Sequence, residues 1–154
     1  MIHHGFKKML MVCLLLLLAG CAQLRTSIVT TADMNKDING QPSPIVVKIY
    51  ELSQADAFNQ GNFFTLFDSP QTALQSQLLN TREVVLAPAE TKHVWLSLNP
   101  QTRYVGIVAG YRQLNNTTWR AVISVPAQKS TQYMGLGLDI SLSASGVSVR
   151  EGAL

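Results

Sequence analysis

Hydrophobic positions change their spacing along this chain, and the changes divide it into segments. Met9 to Leu18 is an uninterrupted apolar run of ten residues. A helix needs about 20 apolar residues to cross a bilayer, so this run is too short to span one. Further on the apolar runs are short and rich in β-branched residues, which predicts strands. They fall at Thr26–Thr31, Ile45–Leu52, Arg82–Leu86, Thr91–Leu98, Arg103–Tyr111, Trp119–Val125 and Val147–Arg150. Within them Val94, Leu96 and Leu98 share one face, as do Val105, Ile107, Ala109 and Tyr111. The cleanest alternation sets Met134, Leu136, Leu138, Ile140 and Leu142 against Gly135, Gly137, Asp139 and Ser141. That period of two puts one face in a core and leaves the other to water or a partner.

Between Ser53 and Asn80 the pattern becomes helical. Ser53 followed by Asp56 reads as a capping box, and Ser69-Pro70 places proline at a first helical position. Ala73, Leu74 and Leu78 fall on one helical face, beside a cluster of Phe58, Phe63, Phe64, Leu66 and Phe67. The expected fold is therefore all-β with a small helical insertion at about 53–80, built as a two-sheet antiparallel β-sandwich over 26–154. Turn residues at Asn39-Gly40, Pro88-Ala89-Glu90, Asn99-Pro100 and Asn115-Asn116 separate the strands.

The N-terminus carries targeting chemistry. Lys7 and Lys8 precede the apolar run, and Leu18-Ala19-Gly20-Cys21 closes it. Positive charge, apolar core, small residues and a cysteine, in that order, look like a bacterial lipoprotein leader. Residues 1–20 are then a cleaved signal peptide, Cys21 takes the lipid, and 21–25 form a lipidated tether. Each buried methylene contributes about 0.8 kcal/mol, so a multiply acylated cysteine holds a domain at the membrane. Ala22 lacks the Asp that favours inner-membrane retention in well-studied Gram-negative bacteria. The expected location is the periplasmic face of the outer membrane.

Removing the leader changes composition. Of 12 Lys+Arg and 9 Asp+Glu, only Lys7 and Lys8 leave, so net charge falls from +3 to 10 − 9 = +1. No electrostatic footprint for nucleic acid remains. Cys13 leaves as well, so the mature domain has no cysteine pair to bridge. His3 and His4 are discarded, leaving His93, whose plain reading is a surface or packed residue. The chain shows no G-x-S-x-G elbow, no zinc-ligand spacing and no dinucleotide loop. An enzyme acting on cell wall or lipid is therefore disfavoured, and neither cofactor nor metal is expected. Asp33, Asp37 and Asn39 sit in a loop that could hint at calcium, but the bidentate glutamate of an EF-hand is missing. Trp119-Arg120 reads either as an interface anchor or, preferred, as the start of a core strand with Arg120 pointing outward.

Several segments together resemble the outer-membrane lipoprotein family of the type VI secretion system, the TssJ or SciN family. These are Asn35-Lys36-Asp37-Ile38-Asn39-Gly40-Gln41-Pro42-Ser43-Pro44 running into Ile45–Leu52, then Phe58 with Asn62–Phe67, then Val105–Arg112 with Trp119-Arg120. Their order and spacing carry the resemblance, which extends from the Cys21 motif nearly to the C-terminus. Ala89 departs from it, standing where family members often have Gly. The resemblance implies a transthyretin-like sandwich, no catalysis, and binding to the periplasmic C-terminal region of the inner-membrane component TssM. With TssL these build an envelope-spanning complex. The loop Ala32–Pro44 is the candidate contact, with Asp33, Asn35, Lys36, Asp37 and Asn39 as candidate binding residues. A plain surface turn is the competing reading of that loop. A pilotin or assembly-chaperone lipoprotein is the competing reading of the whole chain.

Overall fold

A computed structural model describes residues 23–127 and 135–152. Cys21, Ala22 and Met134 therefore lie outside the described residues. Among the described residues there are eight strands: β1 (Leu24–Thr30), β2 (Ile45–Leu52), β3 (Leu78–Leu86), β4 (Thr91–Leu96), β5 (Tyr104–Ala109), β6 (Arg120–Ser124), β7 (Gly137–Ser143) and β8 (Gly146–Gly152). Three short helices, α1 (Asp56–Gln60), α2 (Phe63–Asp68) and α3 (Pro70–Leu74), and one 3-10 turn (Gln75–Gln77) separate β2 from β3.

The strands form two four-stranded sheets, ordered β4-β1-β7-β8 and β3-β2-β5-β6. The expected sandwich is present, with one pairing the sequence pattern did not reveal. β1 runs parallel to β7, with Thr26 beside Leu138 and Ile28 beside Ile140, while the pairings of β1 with β4 and of β7 with β8 are antiparallel. Leu24, Ile28, Val94, Leu138, Ile140 and Leu142 of the first sheet meet Ile45, Val47, Ile49, Leu86, Val105 and Ile107 of the second. These are the alternating positions, and their burial is the main stabilising term. Along one side, Thr118 bridges Gly146, and Val147 N–H donates to the Thr118 carbonyl at 2.8 Å, so the two sheets are stitched together.

The helical insertion forms a third layer. Phe58, Leu66 and Leu74 cover Tyr50, Leu52 and Val108 on the outer face of the second sheet. The second half of β2 is consequently buried on both faces, which hides its period of two. Gly106 is needed beneath this layer: a Cβ there would sit 2.8 Å from the Phe58 ring.

Local boundaries differ from expectation for identifiable reasons. β1 begins at Leu24, not Thr26, because Leu24 is fully buried and pairs with Leu96. The capping box at Ser53 does not form: Ala55 occupies the N-cap of α1 with no side-chain bond. The Ser53 N–H donates instead to the Gln77 carbonyl, joining the ends of the insertion. The side chain that does cap is Asn62, which accepts from the Thr65 N–H at 3.0 Å to start α2. Pro70 does open α3, as expected. Leu78 is not on the helical face of Ala73 and Leu74; it begins β3, which is longer than the expected Arg82–Leu86 because it follows β2 along its whole length. Ala89 keeps the left-handed turn that Gly favours, at φ +56°.

Candidate partner-binding surface

The strand directions sort the connections between two ends of the sandwich. Gln23 enters at one end, and β1 leaves at the other through Thr30 into the 31–44 loop. The registers put the Ala87–Glu90 turn, the 110–119 loop and the Ala144-Ser145 turn at that same far end. Seven residues of β1 separate the two ends, a span of about 23 Å.

The 31–44 loop is held from inside. Met34 is fully buried beneath it. Asn35 is also buried, in the left-handed conformation at φ +50°. Its Nδ2 donates to the Pro44 carbonyl at 2.8 Å and its Oδ1 accepts from the Arg112 N–H at 2.8 Å. One side chain thus ties the loop to the start of β2 and to the 110–119 loop. Asp37 Oδ1 accepts from the Asn39 and Gln41 N–H groups, both at 2.8 Å, while Asp37 N–H donates to the Gln41 carbonyl. This closes a tight turn in which Gly40 has φ +78°. The Asp37 carboxylate is thereby committed to its own turn. Thr31 Oγ1 donates to Asp33 Oδ1 at 2.7 Å, and that bond holds the Asp33 carboxyl below its ordinary range.

The five candidate residues therefore divide. Asn35 is an internal clamp, and Asp37 organises the turn. Asp33, Lys36 and Asn39 face solvent. Between the last two stands Ile38, 96% exposed, an apolar tip that sequence reasoning passed over because it falls in a polar stretch. A shallow groove runs beside it, lined by Lys36, Ile38, Tyr111, Gln113, Thr117 and Ala144. Tyr111 is fixed there by donating its hydroxyl to the Ser143 carbonyl at 2.9 Å, and burial pushes its pKa up to about 12.

Two further polar anchors were not legible in the sequence. Glu51 is buried at the Gln23 end, where it accepts from Asn99 N–H at 2.7 Å, Thr102 Oγ1 at 3.0 Å and Asn80 Nδ2 at 3.1 Å. Arg120 does not point outward. Its Nη1 donates to the carbonyls of Phe58 and Gly61, at 3.0 and 2.6 Å, and its guanidinium stacks 4.8 Å from the Trp119 ring. Trp119 in turn meets Phe63 edge-on, so the pair fastens the insertion to the sandwich. His93 is exposed on the outer face of the first sheet, in keeping with its plain reading.

Among the described residues, no three His, Cys, Asp or Glu side chains are grouped to hold a metal ion. Two stacked sheets, a packed interior and a braced polar loop end define a small β-sandwich that presents an ordered loop surface. The family model for the type VI secretion lipoproteins (VasD, EvfM, TssJ) matches residues 22–145, and the chain belongs to that family. Comparison with curated proteins returns no match. Among solved structures, the type VI secretion lipoprotein TssJ1 from Pseudomonas aeruginosa is 31% identical, with a TM-score of 0.78, covering 86% of this chain and 98% of that one. Lip of Serratia marcescens, a membrane-bound component of the type VI secretion system, is 24% identical, with a TM-score of 0.75, covering 84% and 96%. A chain in the structure described as the TssM C-terminal domain (869–1107) from EAEC is 20% identical, with a TM-score of 0.65, covering 82% of this chain and 99% of that chain.

Proposed function

We propose that this lipoprotein is lipidated on Cys21, stands on the periplasmic face of the outer membrane, and binds the periplasmic C-terminal region of a TssM-like inner-membrane protein through its 31–44 loop end. The observation that carries the reading is the opposition of the two ends. Gln23 lies two residues after Cys21, so the tether fixes one end near the bilayer. The loop lies about 23 Å away along β1 and points toward the periplasm. Asn35 and Met34 brace it, so little ordering is left to be done on binding, and less affinity is lost to that cost. Asp33, Lys36, Ile38 and Asn39 remain free to contact a partner. With net charge near +1, affinity rests on local fit more than on long-range steering.

The likeness to a chain in the TssM C-terminal structure supports this pairing. The matched part of this chain, 82% of 154, is about 126 residues and covers 99% of that chain, whereas 869–1107 spans 239 residues. The matched chain is thus roughly half the length of the named domain, as a smaller companion in the same structure would be.

The test is a pull-down from envelope extract with the lipid-free domain, followed by titration with the TssM-type fragment. Capture of an inner-membrane protein with a large periplasmic part supports the reading. Replacing Lys36, Ile38 and Asn39 together by Glu, Ser and Ala then weakens the titrated affinity at unchanged folding stability. Capture of a secretin-like pore protein instead, or unchanged affinity in the triple variant, counts against it.

A further inference from the structure

The end of the sandwich opposite the loop carries an exposed tryptophan where a membrane lipoprotein meets its bilayer. Trp95 is 52% exposed on the outer face of the β4-β1-β7-β8 sheet, which no helix among the described residues covers. Its register partner on β1 is Arg25, only one residue after the first position of the strand. Directly paired residues on one sheet face have their Cβ atoms about 4.5–5.5 Å apart. The Arg82 guanidinium donates to the Trp95 carbonyl at 3.0 Å across the open seam between β3 and β4. Gln23 Nε2 donates to Ser97 Oγ at 3.4 Å, which lays the incoming chain beside Trp95 on the same face. An amphipathic ring thus sits at the point of chain entry, with Arg25 as its register partner on β1 and the Arg82 guanidinium on its backbone carbonyl.

We infer that Trp95, with Arg25 and Arg82, rests in the headgroup region of the bilayer and sets the orientation of the lipid-anchored domain. The inference rests on lipidation of Cys21. Two residues reach at most about 7 Å, so the patch cannot stand far from the acyl chains of a lipidated Cys21. Tryptophan prefers the membrane–water interface, where its ring is partly buried and its N–H stays hydrated. Guanidinium groups pair well with phosphate oxygens. The contact need not be strong enough to hold a free domain. Tethering makes it intramolecular, at an effective concentration in the millimolar range for short linkers. A domain resting on this patch holds the 31–44 loop at the far end of β1, away from the membrane. A freely swinging one would sample orientations in which that loop is turned aside.

The experiment uses the mature lipidated chain in vesicles of phosphatidylcholine and phosphatidylglycerol, with and without brominated acyl chains. Trp119 is half-buried against the core and the insertion, so the Trp95 signal is taken as the part of the emission removed by Trp95→Phe. The expected result is bromolipid quenching of the Trp95 emission. Arg25→Glu with Arg82→Glu should relieve it, while a fluorophore on Ile38→Cys stays unquenched. Trp95 emission indifferent to brominated lipid, in protein that floats with the vesicles and has the lipidated mass, overturns the inference and leaves the anchor intact. Emission that shifts only when the TssM-type fragment is added also overturns it, and gives the patch to a protein partner. Protein that lacks the lipid mass and fails to float removes the anchor itself, and the inference with it.

Discussion

Asn35 is the side chain on which the loop architecture most depends, and its replacement separates bracing from binding. Two of its hydrogen bonds are short and well placed: Nδ2 to the Pro44 carbonyl and Oδ1 from the Arg112 N–H, both at 2.8 Å. The contact with the Ser43 carbonyl, at 3.5 Å, is too long to count. Each good bond contributes about 1 kcal/mol net, so losing both costs about 2 kcal/mol. Asn35→Gly recovers about 0.5–1 kcal/mol by removing a Cβ at φ +50°, after glycine's extra freedom in the unfolded chain is deducted, and should lose about 1–1.5 kcal/mol. Asn35→Ala loses the same bonds and keeps the left-handed Cβ that Asn35 already carries, so it should lose the full amount, about 2 kcal/mol. With a urea dependence of about 1–3 kcal/mol per molar, the alanine variant's midpoint should fall by about 0.7–2 M. Urea unfolding followed by far-ultraviolet circular dichroism reads both variants. Partner affinity should fall with stability in these two, whereas Lys36→Glu should weaken binding alone. Midpoints equal to the parent's would refute the clamp, and equal losses for Gly and Ala would refute the backbone part of the sum.

Four other substitutions probe separate parts of the account. Ala89→Gly relieves a left-handed alanine at φ +56° and should raise stability by about 0.5–1 kcal/mol after the extra freedom of glycine in the unfolded chain is deducted, read as a higher urea midpoint. Arg120→Met should cost about 2 kcal/mol through loss of the charged donor to the Phe58 and Gly61 carbonyls, with faster amide exchange confined to 56–68. Glu90 accepts from the Ala87 N–H at 2.6 Å, and that bond, with Lys92 beside it, lowers its pKa. Its stabilisation is therefore present above the ordinary glutamate pKa and lost as pH falls through the lowered value. Glu90→Gln should flatten that part of the acid limb of a stability–pH curve. Cys21→Ser should remove the acyl mass seen by intact-mass spectrometry and leave the melting temperature of the domain unchanged.

The parts of the fold legible in the sequence were those where one sheet face meets a core and the other meets water. Leu136, Leu138, Ile140 and Leu142 are all buried as their alternation requires. Where a third layer covers the outer face, the signal fails. Gly106 and Val108 are buried under the insertion as fully as Val105 and Ile107 are between the sheets, and β2 loses its period for the same reason. The parallel partnership of β1 and β7 joins strands far apart in sequence, and no local pattern encodes it. Short helices were visible through Pro70, but Ser53 misled because the Gln77 carbonyl competes for it. In the loop, composition marked a polar segment and gave Asn35 and Asn39 equal weight. Only tertiary contacts separate a clamp spent on Pro44 and Arg112 from a side chain free to meet a partner. Arg120 reads as a surface residue in sequence because its acceptors are backbone carbonyls, which leave no trace in side-chain pattern.

The proposed arrangement fixes one end of this domain to the outer membrane while the other end holds an inner-membrane protein. The most direct measurement is density-gradient fractionation of envelopes after selective solubilisation of the inner membrane, probing for the TssM-like component. This component should travel with the outer-membrane fraction in cells carrying the parent chain, and leave that fraction in cells carrying Cys21→Ser. Co-migration that persists without the Cys21 thiol, or that is absent with the parent, contradicts that arrangement.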